Sequence, residues 1–272
     1  MNLQAGTTLA GALAQLPLDP LENRILLCHA LGITRVALIT HPERTLDADE
    51  AARVSALAQR RLAGEPIAYI TGEREFFGLD FHVTDAVLIP RPDTELLVEL
   101  AIERTPQQGR ALDMGTGSGA IAVSLAHARP DAGVTALDVS EAALAVARRN
   151  AERNRARVRF LHSDWFSSLH GEQFDIIVSN PPYIASGDEH LSQGDLRFEP
   201  QGALTDHADG LSALRTIAAG APAHLVRGGW LLMEHGYDQA AQVRGLLADQ
   251  YEDVQSWRDL AGIERVTGGR LR

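Results

Sequence analysis

The stretch "RALDMGTGSGAIAVSLAHA", residues 110–128, decides how the rest of the chain is read. Its first five residues are mostly apolar and short enough for a buried strand. Its last nine carry the Ala- and Leu-rich run of a helix. Between them lie Gly115, Gly117 and Gly119, with Thr116 and Ser118 interspersed. Glycines at a strand-to-helix turn permit a tight reversal and let a ligand approach bare backbone. The helix N-terminus beyond them favours a negative group beside it. A strand, a glycine loop and a helix in that order make one β-α unit.

The unit repeats downstream. "GVTALDVS" (133–140) reads as a strand and "EAALAVARRNAERN" (141–154) as a helix. "VRFLHSD" (158–164) and "FDIIVSN" (174–180) read as strands, and "LSALRTIAAGAPAHL" (211–225) as a helix. "GGWLLMEHG" (228–236) is a strand, "YDQAAQVRGLLADQ" (237–250) a helix, and two short strands follow near 254–259 and 263–270. Repeated β-α units imply an α/β fold with a mostly parallel sheet covered by helices on both faces. Ligands of such sheets bind at the carboxyl ends of the strands, where strand order reverses. Upstream, residues 1–64 show apolar residues at helical spacing, with Asp19 and Asp47 as starts and Gly32 and Gly64 as stops. The aromatic and β-branched segment "IAYITGEREFFGLDFHVT" (67–84) is expected to form a strand pair. The expected domains are a helical bundle over 1–64, a β-hairpin linker over 65–88 and a ligand-binding domain over 89–272. The stretch from Ile184 to about Asp209 is long for a loop in a compact domain and suits a lid.

The glycine loop alone leaves two ligands open. Gly115-x-Gly117-x-x-Ala120 satisfies the dinucleotide fingerprint, and Asp113-x-Gly115-x-Gly117-x-Gly119 equally matches the loop of S-adenosylmethionine-binding domains. Asp138, closing the second strand, can accept the ribose hydroxyls of an adenosine in either cofactor. Asp164 and Trp165, after the third strand, can bond an adenine amino group and cover its face.

Composition narrows the chemistry. All 25 basic residues among the 272 are Arg, which excludes mechanisms that need a phosphate-binding or Schiff-base lysine. A net charge of −11 is the wrong sign for binding nucleic acid by broad phosphate neutralisation. The single cysteine, Cys28, excludes an internal disulfide and a cysteine-built zinc site. The ten histidines show no metal-ligand spacing. No apolar run reaches the ~20 residues of a membrane span, and the N-terminus lacks the pattern of a signal peptide. A cytoplasmic monomer without bound metal is the expectation.

The strand at 174–178 runs directly into Asn180-Pro181-Pro182-Tyr183. Two prolines cannot continue a ladder, so they form a rigid corner that presents its neighbours with little freedom. The Asp/Gly loop, Asp138 and this tetrad together resemble class I S-adenosylmethionine-dependent methyltransferases, specifically those that methylate amino groups. The wider match is to the HemK/PrmC family of release factor glutamine methyltransferases. It is carried by "GEPIAYITGEREFFGLDFHV", "VLIPRPDTELLVE", "RFEPQGAL", "MEHGYDQ" and "AGIERVTGGR", and covers about residues 64–270. The resemblance implies a Rossmann-like seven-stranded sheet and S-adenosylmethionine as cofactor. The implied substrate is the glutamine of the Gly-Gly-Gln motif in class-1 peptide chain release factors, with the helical N-terminal domain and the linker helping to dock the factor.

By the same resemblance, Gly115, Thr116, Gly117, Ser118 and Gly119 line the methionine part of the cofactor, Asp138 takes the ribose, and Asp164 and Trp165 lie by the adenine. Asn180 touches cofactor and substrate, while Pro181, Pro182 and Tyr183 complete the glutamine pocket. Arg91, Pro92 and Thr94 are expected to cover the cofactor entrance, and Phe198, Glu199 and Pro200 to form the far wall. One departure is Gly268, where a Leu- or Lys-like residue is expected. A nucleic-acid amino methyltransferase acting on adenine or guanine is the competing enzyme, and an idle binding module the competing non-enzyme. Glu234-His235 is read as structural or gating, and the cluster Arg148, Arg149, Arg153, Arg155, Arg157 and Arg159 as a solvated helix face.

Overall fold

The computed structural model describes residues 2–272. The chain divides into two compact units that meet in sequence at Gly72 and Glu73. The first is helical: α1 (Leu9–Gln15), α2 (Pro20–Leu31), α3 (Arg35–Thr40), α4 (Ala48–Leu62) and α5 (Ile67–Thr71). Leu9, Leu27, Leu38 and Val54 fill its core. Its helix ends follow the sequence signals. Asp19 caps α2, which stops at Gly32 in the left-handed region, and Asp47 forms a reciprocal capping box with Glu50 on α4.

The segment expected to be a hairpin linker from residue 65 begins instead with α5, in spite of its β-branched residues. Pro66 stands at the N-cap, and Gly72, at φ 73°, ends the helix. Pro66 and Gly72 bound one helical turn whose Ala68 and Ile70 are buried, and that burial outweighs weak strand propensity. The hairpin itself is confined to β1 (Glu73–Phe76) and β2 (Leu79–His82).

The second unit then adds α6 (Glu95–Arg104), β3 (Arg110–Met114), α7 (Ala120–Ala128), β4 (Gly133–Asp138), α8 (Glu141–Arg153), β5 (Val158–His162) and β6 (Phe174–Ser179). It ends with α9 (Gln201–Leu204), α10 (Ser212–Gly220), β7 (Leu225–Glu234), α11 (Ala240–Leu247), β8 (Tyr251–Arg258) and β9 (Glu264–Leu271). These make a seven-stranded sheet in the order β5-β4-β3-β6-β7-β9-β8. Five strands are parallel, and β9 runs antiparallel between β7 and β8. This is a Rossmann-like seven-stranded sheet, as expected. Alternation within each strand feeds two cores. Ala111, Ile176, Val178 and Leu232 face one helical layer with Leu97 and Leu125, while Leu112, Ile177, Leu231 and Met233 face the other with Leu214 and Val243.

Strand order reverses between β3 and β6, and the register brings the site together there. Met114 is opposite Leu137 on one side and Ser179 on the other. The glycine loop, Asp138 and Asn180 therefore emerge side by side at one sheet edge. The hairpin is tied to the same region by Asn150 of α8, which is fully buried. Asn150 Oδ1 accepts the His82 N–H at 2.7 Å, and Nδ2 donates to the carbonyls of His82 and Ser118. Three of the six arginines of the cluster form ion pairs at the surface: Arg148 with Glu141, Arg153 with Glu73 and Asp80, and Arg159 with Glu172.

Gly268 has a packing reason. A Cβ there would meet the Leu231 carbonyl oxygen at 2.4 Å and Leu232 Cδ2 at 2.5 Å. The larger side chain expected at this position has no space. Gly268→Leu is expected to lower stability by about 3 kcal/mol through overpacking between β7 and β9, read as a shift in urea midpoint. An unchanged midpoint would mean that the two strands separate at this point without cost.

Candidate active site

A cavity of about 300 Å³ opens at the switch point, at the small end of the range of cofactor sites. Its floor is the glycine loop. Gly115 and Gly117 have φ of 72° and 54°, and a Cβ on either would meet nothing within 4 Å. Their backbone is therefore presented bare to the cavity. The loop is pinned from below: Leu137 O accepts both the Gly115 and Thr116 N–H groups, and Asp113 Oδ2 accepts the Thr116 hydroxyl at 2.6 Å. Asp113 itself is buried beneath the loop, and burial pushes its carboxyl up to about 7. Gly119, at φ 84°, does not line the cavity. A Cβ there would crowd Ala147 at 3.1 Å, so this glycine serves the approach of α7 to α8.

Asp138, at the end of β4, lines the cavity and orders its own surroundings. Its Oδ2 accepts the Gly117 N–H and its Oδ1 the Ser140 N–H, both at 2.9 Å. Asp164 and Trp165 line the same wall. Trp165 takes the left-handed conformation, φ 47°, with its carbonyl accepting the Ser163 hydroxyl at 2.7 Å. Sequence reasoning did not single out Val139, an exposed apolar residue on this wall. Its signal was its position directly after the acid.

The tetrad contributes two of its four residues to the cavity, and neither Pro181 nor Tyr183 lines it. Asn180 and Pro182 line the cavity, whereas Pro181 is buried behind them. Asn180 Nδ2 donates to Thr94 Oγ1 at 3.2 Å. Tyr183 is held at both ends: its hydroxyl lies 3.4 Å from Glu234 Oε1, and its carbonyl accepts the Gln239 amide at 3.0 Å. Burial first, then the Glu234 carboxylate, raise the phenol's pKa, so it stays neutral. Gly210 is needed beside it, since at φ 79° a Cβ would stand 2.4 Å from the Tyr183 carbonyl oxygen. His235 points away, bridging Gly236 O and Thr267 Oγ1 within the fold.

Residues 4–72 match the PrmC N-terminal domain, and residues 92–196 the methyltransferase small domain. The release factor glutamine methyltransferase of Burkholderia pseudomallei is 59% identical to this chain, over 97% of it and 96% of that protein. The chain belongs to the release factor glutamine methyltransferase family. The Neisseria gonorrhoeae member is 55% identical, over 93% of this chain and 94% of its own. Among solved structures, the T. thermophilus 16S rRNA N2 G1207 methyltransferase, in complex with AdoMet and guanosine, matches with a TM-score of 0.56. It is 23% identical, over 74% of this chain and 50% of its own. A Pyrococcus furiosus methyltransferase matches with a TM-score of 0.55 at 23% identity, over 80% and 98%. At that identity these two establish the shared fold.

The lining suits the cofactor of a methyltransferase. Bare backbone at Gly115 and Gly117, two acids along one wall, and an indole beside them can hold an adenosine and a cationic methionine end. Arg91, which lines the cavity, meets Glu199 Oε1 through its Nη2 at 2.6 Å, joining the segment before α6 to the segment before α9. The Glu199 side chain has no exposed surface. Burial pushes its carboxyl upward, and Arg91 pulls it back. Arg91→Ala would strand that carboxylate, a change that destabilises a buried pair by about 3 kcal/mol or more. The expected result in this family member is cofactor release faster by about tenfold, measured by stopped-flow. An unchanged release rate would show that the Arg91–Glu199 pair does not retain the cofactor.

Proposed function

We infer that this chain transfers a methyl group from S-adenosylmethionine to the side-chain amide of the glutamine in the Gly-Gly-Gln motif of class-1 peptide chain release factors, giving N5-methylglutamine. The observation that carries the reading is identity of 59% to a release factor glutamine methyltransferase over nearly the whole of both chains, helical unit included. Bound S-adenosylmethionine supplies the electrophilic methyl group.

The chain's own residues handle the difficulty of the acceptor. An amide nitrogen has its lone pair delocalised into the carbonyl, which is why the group is planar and weakly nucleophilic. Asn180 Oδ1 and the Pro181 carbonyl accept the two N–H groups of the substrate amide. Fixed acceptors orient the nitrogen and stabilise the positive charge it gains as its lone pair attacks. Tyr183 packs on the amide plane as a neutral phenol. The methylated nitrogen is strongly acidic, and its extra proton leaves to water, so no dedicated base is required. Gly115 to Ser118 and Asp138 hold the cofactor, with Asp164 and Trp165 at its adenine end.

The helical unit, residues 1–72, docks the release factor, and the chain works as a cytoplasmic monomer. Among the described residues, no helix is long and apolar enough to cross a membrane. The competing reading, methylation of an adenine or guanine amino group, has the wrong net charge of −11 for broad phosphate neutralisation. The deciding experiment offers labelled methyl donor with purified release factor, total RNA and total DNA in one tube. Label in the factor supports the reading. Label confined to nucleic acid would replace it with the alternative.

A further inference from the structure

An asparagine amide can sit in two orientations that differ by a half-turn, with nearly identical shape and opposite hydrogen-bonding character. Only one serves the reaction proposed above. With Oδ1 toward the substrate, Asn180 accepts an N–H of the incoming amide. With Nδ2 there, two donors face each other and the substrate loses its partner on leaving water. Something in the fold has to choose.

The Nδ2 group of Asn180 points to Thr94 Oγ1, 3.2 Å away. A hydroxyl accepts reliably in one direction when its own proton is committed in another. The Thr94 side chain is buried, and its hydroxyl is near enough to the Glu234 carboxylate to favour the charged form of that acid. Glu234 is 1% exposed at the end of β7. One oxygen takes the long contact from the Tyr183 hydroxyl, and the other, Oε2, has no hydrogen-bond partner. A buried carboxylate with an unused acceptor is costly unless a donor supplies it.

We propose that Thr94 and Glu234 are positioning residues that set the Asn180 amide: Glu234 accepts the Thr94 proton, Thr94 Oγ1 accepts from Asn180 Nδ2, and Oδ1 is thereby turned to the substrate. The inference rests on the glutamine-amide reading of this site. It gives Thr94 a different task from the entrance cover that the sequence suggests. It also assigns Glu234 a use that neither base catalysis nor packing requires.

The direction of the relay depends on Glu234 being ionised. A protonated Glu234 would donate to Thr94, whose hydroxyl could then donate to Asn180 Oδ1 and stabilise the wrong orientation. Burial raises the Glu234 carboxyl to about 7. The groups facing it are Asp93 and Thr94 ahead of α6, Tyr183 after β6 and Arg265 on β9. Asp93 adds to the rise, while Thr94, Tyr183 and Arg265 oppose it, and Arg265 is shared with Asp93 at 3.4 Å and Asp259 at 3.2 Å. Because the charged form is the working one, turnover should fall as pH drops through about 7.

The test uses the full chain, S-adenosylmethionine and purified release factor, with wild type, Thr94→Val, Thr94→Ser and Glu234→Gln. Thr94→Val keeps the shape and removes the relay. It is expected to lower kcat by about 10- to 100-fold, with cofactor Kd from calorimetry changed by less than about threefold. Thr94→Ser should restore most of the loss. Glu234→Gln, which cannot titrate, should flatten the acid limb of the wild-type kcat profile. That control separates Glu234 from Asp113, whose carboxyl lies in the same pH range. Without substrate or cofactor, the Asn180 side-chain NH2 resonances should shift in Thr94→Val. Full kcat in Thr94→Val, or an acid limb that survives in Glu234→Gln, overturns the inference while leaving the glutamine reading intact. A wild-type chain that does not label the release factor would instead remove the reading and the inference with it.

Discussion

Asn180→Ala loses methyl transfer to a release factor by about a thousandfold, in the range seen when one preorganised polar group is removed from a transition-state site. In the proposed mechanism the side chain supplies one of two acceptors for the substrate amide, and the other, the Pro181 carbonyl, cannot orient the nitrogen alone. The corner that carries Asn180 does not depend on its side chain. Ser179 closes β6 with its hydroxyl donating to Met114 O at 2.7 Å, and the rings of Pro181 and Pro182 stiffen the backbone on the other side of Asn180. The variant should therefore melt close to wild type. Cofactor affinity should weaken by no more than about tenfold, since Asn180 is one of many residues on the cavity wall. Equal losses in Kd and kcat would mean that Asn180 chiefly holds the cofactor.

Asp138→Ala produces the opposite split. Each carboxylate oxygen already accepts one backbone N–H, from Gly117 and from Ser140, and each retains a lone pair for a ribose hydroxyl. The substitution removes the acceptors and frees the Gly117 N–H, one of several anchors of the glycine loop. Charge-assisted hydrogen bonds contribute about 1.5–3 kcal/mol each, so a loss of about a hundredfold in cofactor affinity is the expected calorimetric result. At saturating cofactor, kcat should recover most of its value. Unchanged affinity would sink the ribose assignment.

Local chemistry made much of this fold readable. The glycine loop, the acid closing β4 and the Asn-Pro-Pro-Tyr corner each announce a strand end, and parallel β-α order forces those ends to one edge. The features that escaped reading were non-local. The turn at Ile67–Thr71 carries β-branched residues, and only the flanking Pro66 and Gly72 hinted at a helix. Gly268 looked like a weak departure because the oxygen that excludes a side chain, that of Leu231, is remote in sequence. Thr94, Asn180 and Glu234 come from three separate segments, so no spacing rule could link them before the sheet was assembled. The Arg91–Glu199 pair is hidden for the same reason, its partners lying 108 positions apart.

The central claim is that the methyl acceptor is one amide nitrogen. The measurement that tests it most directly is peptide mapping by mass spectrometry of a full-length class-1 release factor after reaction, beside a factor with Gln→Ala in its Gly-Gly-Gln motif. The account predicts a single methyl group on that glutamine side chain and an unmodified Ala variant. Methylation persisting in the Ala variant, or located on any other residue, would contradict it.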